Sequence, residues 1–175
     1  MAVSKNPGFS QKYVRARLHY NKKTGVFTWK HHDGMPLNWN RRYSGTVAGC
    51  NHAGYVKIAL LKSTRCFAHN LAWLYVKGEW PAFEIDHKDG NSANNSWKNL
   101  RKASRSQQLQ NARKRSHNTS GTTGVSWSNM LGGWLSQITV NKKRHFLGVH
   151  RRKKDAVAAR KAAEPKFFKK FCRAA

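Results

Sequence analysis

The chain has 175 residues, with 34 Lys and Arg against seven Asp and Glu, giving a formal net charge of +27. A surface so one-sided repels itself unless a polyanion is its usual partner, which puts nucleic acid first among partners. No apolar run approaches the roughly 18 residues of a spanning helix and MAVSKNPGFSQK lacks the apolar stretch of a signal peptide, so a soluble, cytosolic protein without a membrane partner is expected.

Residues 11–29 run from a short helical pattern through the turn signal Asn-Lys-Lys-Thr-Gly into an apolar strand. Residues 30–44 read as polar loop. Two strands are predicted around Thr46–Ala48 and Tyr55–Leu61, separated by a Gly-containing turn at 49–54. Cys66–Lys77 reads as a helix, with Phe67, Leu71, Leu74 and Tyr75 on one face and Gly78 placed to end it. A strand at Phe83–Asp86, a loop rich in Gly and Asn, a short stretch at Leu100–Ala103 and a helix from Ser104 to about Arg115 follow. Asn118–Gly124 is small and polar, as a linker would be. Beyond it lie three alternating segments, 124–128, 132–140 and 144–149, and an Ala-rich helix from Lys153 to Ala163 that is expected to stop before Pro165.

Four of the seven acidic residues, Glu79, Glu84, Asp86 and Asp89, fall within eleven positions of an otherwise basic chain. Negative charge weakens phosphate binding, but a carboxylate is what a protein supplies to hold Mg²⁺ or Mn²⁺ against a phosphate. Asp86 sits at the end of the predicted strand beside His87, whose ordinary pKa lies nearest neutral pH and suits a general base. An imidazole used in this way needs a group to hold its tautomer, and Asn94, Asn95 and Asn99 are all close enough in sequence. Cys50, Cys66 and Cys172 stand singly and the histidines lack zinc spacing, so any metal here is expected to be oxygen-bound. Asp89-Gly90-Asn91 reads as a tight turn. His69 lies among apolar neighbours on a predicted helix and reads as structural. In the basic run RKRSH, Arg113, Lys114 and Arg115 are candidate phosphate contacts.

The stretch IDHKDGNSANNSWKNLRKAS, residues 85–104, resembles the core of HNH endonucleases of the phage-borne and homing type. Upstream, YNKKTGVFTW, VAG, GYVKIAL and AHNLAWLYVKGEWP are similar, in the same order, to the N-terminal half of those proteins, so the resemblance runs from about Tyr20 to Arg115. It implies a ββα-metal fold in which Asp86 is a metal ligand, His87 the general base and Asn99 the residue that orients it. It also implies a second metal ligand at Gln108, where the family has Asn or His, with Asn111 one turn on as the alternative. Asn70 departs from the family's His-Arg pair. Residues 119–163 are similar to the DNA-binding domain of plant ethylene-response factors, the APETALA-two type, carried by TGVSW at 123–127 and GGWLSQITVNKKRHFLG at 132–148. That second resemblance implies a three-stranded sheet lying in the major groove, with Trp127, Trp134, Gln137, Lys142, Lys143 and Arg144 as contacts. One of the two tryptophans is expected to pack under the sheet instead.

The expectation is therefore an α+β chain. A small β-rich unit closed by a helix (1–78) precedes an HNH ββα-metal core (79–116), a linker (117–123), and a three-stranded sheet plus one helix (124–175). Its expected activity is hydrolysis of double-stranded DNA, site-directed and homing-like, with one divalent ion, Mg²⁺ or Mn²⁺. The protein would act as a monomer or DNA-dependent dimer in the cytoplasm of an infected bacterial host. The alternative is a DNA-binding protein without catalysis. An RNA-binding basic protein would explain the charge but not the Asp-His-Asn set.

Overall fold

The computed structural model describes residues 6–61, 64–104, 107–108 and 118–168. They divide into two compact units, Met1–Ala103 and Ser104–Ala175, each α+β. No helix among the described residues is long and apolar enough to cross a membrane.

In the first unit the Ser10 hydroxyl accepts the Tyr13 N–H and so caps α1 (Gln11–Arg17). The chain then forms a hairpin, β1 (Leu18–Tyr20) against β2 (Phe27–Trp29). Residues 30–44, expected as loop, hold the short helix α2 (Leu37–Tyr43). Pro36, whose fixed φ suits a helix start, precedes it, and the Asn40 side chain bonds His32 and Met35 of the incoming loop. The strand expected at 46–48 is reduced to a single bridge between Thr28 and Val47. Pairing resumes later, in β3 (Cys50–His52), β4 (Tyr55–Leu61) and β5 (Thr64–Phe67), a three-stranded antiparallel sheet of order β3-β4-β5. Ala53 and Gly54, both at positive φ, make the β3–β4 turn; Ala at such a position is uncommon, which hid this tight turn from the sequence.

Helix α3 (Ala68–Lys77) starts two residues later than expected because Cys66 and Phe67 pair with β4. Gly78, at φ 84, ends it by donating its N–H to the Leu74 carbonyl. Leu71, Leu74 and Ala72 of α3 are buried with Val14, Leu18, Phe27, Ile58, Ile85 and Leu100 in one core. This core seats the last hairpin, β6 (Glu84–His87) against β7 (Leu100–Ala103), with Asp86 opposite Arg101 and His87 opposite Leu100.

In the second unit Ser104 and Gln107 cap one another, each backbone N–H bonded to the other's side chain, and Gln108 donates its N–H to the Ser104 carbonyl. The helix predicted from Ser104 therefore begins there; most of its length lies outside the described residues, as do Asn111, Arg113, Lys114 and Arg115. Strands β8 (Val125–Ser128), β9 (Gly133–Val140) and β10 (Lys143–His150) form an antiparallel sheet of order β10-β9-β8, with Asn141 and Lys142 at positive φ in the second turn. Helix α4 (Lys153–Phe168) runs past Pro165 instead of stopping before it. Proline in a helix costs about 3 kcal/mol. Burial of Phe168 with Ile138 and Ala163, and packing of the Phe167 ring on His145 at 4.7 Å, offset that cost.

Candidate active site

Asp86 and His87 end β6 and are 7% and 6% exposed. The loop that follows turns at once, with Gly90 at positive φ donating its N–H to the His87 carbonyl. Asn99 braces this loop from β7's side. Its amide oxygen accepts the Asp89 N–H at 3.1 Å, and its amide nitrogen donates to Asp89 Oδ1 at 3.0 Å and to the Asn94 carbonyl at 2.8 Å. All three bonds tie Asn99 to the loop that carries His87. Asp89 also accepts from the Asn91 N–H and the Asn94 amide, and these bonds hold its carboxyl below the usual range although burial opposes them.

The side chain that meets the His87 ring is Asn95. Its Oδ1 lies 3.3 Å from His87 Nε2, and its amide nitrogen donates to the Ala93 carbonyl at 3.0 Å. The second bond fixes which way the amide points, so the oxygen faces the imidazole and selects the tautomer with its proton on Nε2. The ring lone pair is then on Nδ1. Burial pushes the His87 pKa down, opposed by the Asn95 bond and by the charges of Asp89 and Asp86. The imidazole is consequently neutral, the form a base requires.

Two residues from the N-terminal half complete the surroundings. His69, on the first turn of α3, sets its ring edge-to-face against His87 at 5.3 Å and 88°, and stacks on Phe67 at 5.3 Å. Burial, with a smaller contribution from His87, pushes its pKa down to about 3. Tyr55, at the start of β4, lies 5.9 Å from the His69 ring and 6.3 Å from His87. Burial and the Asp86 charge push its hydroxyl pKa up.

The hairpin loop is seated on earlier turns. Tyr20 donates its hydroxyl to the Asn95 carbonyl at 2.7 Å, the Trp97 N–H bonds the Lys22 carbonyl, and Ser92 bonds the Gly54 carbonyl. Gly25, at φ +78, is the tightest of these supports, because a Cβ there would lie 2.2 Å from the Asn95 and Ser96 backbones.

Asp86 is gripped by Arg101 across the hairpin, with Nε at 2.8 Å and Nη2 at 2.7 Å from Oδ2. A cation therefore already faces this carboxylate, and its hard oxygen donors are the chemistry a divalent ion such as Mg²⁺ takes. Among the described residues no group of three or more His, Cys, Asp or Glu side chains could hold a metal, so a metal here would rest on Asp86 with neutral oxygen donors. Gln108, an amide oxygen donor, lies in the second unit.

The contact residues expected in the second unit fall on two sides of its sheet. Register puts Trp127 opposite Trp134 and Val125 opposite Ser136, so both tryptophans share the side of Ser136 and Ile138, the side packed by α4. The two rings meet edge-to-face at 5.6 Å and the Lys153 ammonium sits over Trp134, while Trp127 remains 52% exposed. Gln137 faces the other way, opposite Phe146, with Arg144 opposite Thr139. Phe146 is 65% exposed and makes this outer side a basic and aromatic surface. Lys142 stands in the turn, and Lys143, opposite Val140, begins on the helix side.

Residues 66–110 match the family model described as HNH endonuclease. The chain is also 36% identical over 78 residues to Protein 3.8 of Escherichia phage T7, an overlap of 44% of this chain and 64% of that protein. The chain thus spans a little under two thirds of the length of that relative. No solved structure matches.

Proposed function

We propose that the protein is a DNA endonuclease that hydrolyses phosphodiester bonds at the β6–β7 hairpin, with His87 as general base. The observation that carries this reading is a buried, neutral imidazole held in one tautomer by Asn95, beside a carboxylate that faces a cation, inside the segment that matches the HNH endonuclease family. Nδ1 of His87 takes the proton from a water as that water's oxygen attacks phosphorus. The bond from phosphorus to the leaving sugar oxygen then breaks, and that oxygen leaves with the electron pair and is protonated by solvent. A divalent metal, held by Asp86 and with Gln108 as its second ligand, supplies neutralisation of charge on the phosphate oxygens when bound. Asn99 positions the base by bracing its loop.

The second unit supplies DNA affinity. Its outer sheet side presents Gln137, Arg144 and Phe146, with Lys142 at the turn, for a groove, in the manner of the ethylene-response-factor resemblance. Trp127, Trp134 and Lys143 serve from the helix side and its rim, and Arg113, Lys114 and Arg115 contact phosphates. One active site per chain makes a single-strand nick the simplest product, with a dimer on DNA giving a double-strand cut. Target preference is site-directed and homing-like, and the setting is the cytoplasm of a phage-infected cell.

The second reading, a DNA-binding protein without hydrolysis, is favoured by one observation, the Arg101 guanidinium on the carboxylate a metal would need. Incubation with supercoiled DNA separates the two. Relaxation that requires Mg²⁺ or Mn²⁺ and stops with chelator is the expected result; tight, salt-sensitive binding with no relaxation in either metal would leave the second reading standing.

A further inference from the structure

Building on the reading of Asp86 as a metal ligand, we propose that Arg101 is its resident counterion and competes with the divalent ion for that carboxylate. Asp86 and Arg101 are direct partners in the β6–β7 ladder, so their side chains are neighbours by construction. Two guanidinium nitrogens, Nε and Nη2, converge on the one oxygen Oδ2 at 2.8 and 2.7 Å. Both side chains are largely withdrawn from water, at 9% and 15% exposure, so the pair is screened much less than a surface ion pair.

A carboxylate so withdrawn needs a cation, and arginine, protonated at every accessible pH, provides one permanently. A divalent ion brought to the same carboxylate adds two positive charges within a few ångströms of the guanidinium. The two cations repel, and each weakens the hold of the other. The metal therefore enters against Arg101, and the hairpin stays closed and correctly registered before it arrives. Arg101 acts through Asp86 and is a positioning residue.

The test is Mn²⁺ binding to the full chain without DNA, followed by the paramagnetic signal of free Mn²⁺, for wild type, Arg101→Gln, Arg101→Lys and Asp86→Asn. Arg101→Gln is expected to bind Mn²⁺ tighter than wild type by on the order of tenfold, the scale of one close charge pair. Arg101→Lys, which keeps the charge without the fork, should fall between them, and Asp86→Asn should lose the site. Thermal unfolding adds a second readout that does not depend on activity. Without metal Arg101→Gln should melt below wild type, and Mn²⁺ should raise its Tm by more than it raises that of wild type. A merely structural arginine would lower Tm without raising metal affinity. Asp86-dependent binding that is unchanged or weaker in both Arg101 variants overturns the counterion role and leaves the metal reading intact. Binding that is the same in Asp86→Asn as in wild type overturns both.

Discussion

The two units are alike in charge and unlike in what they bury. Residues 1–103 hold 17 Lys and Arg against five acidic residues, and residues 104–175 hold 17 against two. The first unit nevertheless buries Asp86, His87, Asn95 and Asn99 around one hairpin, with His69 and Asn70 on the helix beneath. Among the described residues of the second unit the buried polar ones are Ser120, Ser136 and Arg160; Arg160 bonds the Thr123 carbonyl and Glu164, so it serves the fold. Its large aromatic and basic side chains face outward instead. Buried polar groups are costly unless bonded, and a unit that accumulates them at one loop has a use for their fixed positions. Chemistry is thereby assigned to the first unit and attraction for DNA to both.

The sharpest way to break this division is at Asn95. Asn95→Ala removes the acceptor that fixes the His87 tautomer, and the cleavage rate should fall about 10- to 100-fold with little change in DNA affinity. Comparing the single-turnover rate with binding by gel shift checks it. Gly25→Ala attacks the same loop from the other side of the unit, since the new Cβ would strike the Asn95 and Ser96 backbones. It should lower stability by more than about 1 kcal/mol, read as a fall in denaturant midpoint, and take activity with it.

A third effect is a pH dependence that belongs to the first unit. The folded-state pKa of His69 is pushed down to about 3 from its ordinary value of 6.5, so the unfolded chain takes up that proton first. Its contribution to stability is intact above pH 6.5 and is lost as pH falls toward about 3. His69→Phe, which keeps the ring packing, should flatten the decline in unfolding free energy between about pH 7 and about pH 5. The smallest effects are expected on the outer sheet side of the second unit. Arg144→Ala and Phe146→Ala should each weaken DNA binding by about 1–3 kcal/mol and leave the rate from the bound state unchanged, as fluorescence-anisotropy titration and single-turnover cleavage would show.

What the sequence disclosed follows from how local each feature is. Asp86 and His87 were legible because they are adjacent, and β6 and β7 because each is a short apolar stretch beside an Asn-rich loop. Asn95 and Asn99 could not be separated by spacing, since the tautomer-setting bond depends on how residues 91–99 fold over the β1–β2 turn. Tyr55 and His69 come from 32 and 18 positions upstream of His87, and only the packing of β4 and α3 brings them to the ring. His69, read as structural, still reads so in its packing on Phe67, yet it also touches His87. In the second unit the strand pattern was plain, and the odd spacing of Trp134 and Gln137 already separates them by face; a set of contacts chosen by resemblance alone does not carry that parity. The course of α4 past Pro165 was not legible, because its reason is the burial of Phe168 against β9.

The most direct test of the central claim compares wild type with His87→Ala on supercoiled DNA in Mg²⁺ or Mn²⁺, at protein concentrations that bind equal fractions of the DNA. A general base at His87 predicts relaxed circles from wild type and a rate at least about 10²-fold lower from the variant at equal occupancy. Equal rates from both proteins, or relaxation by wild type that persists in chelator, would contradict it.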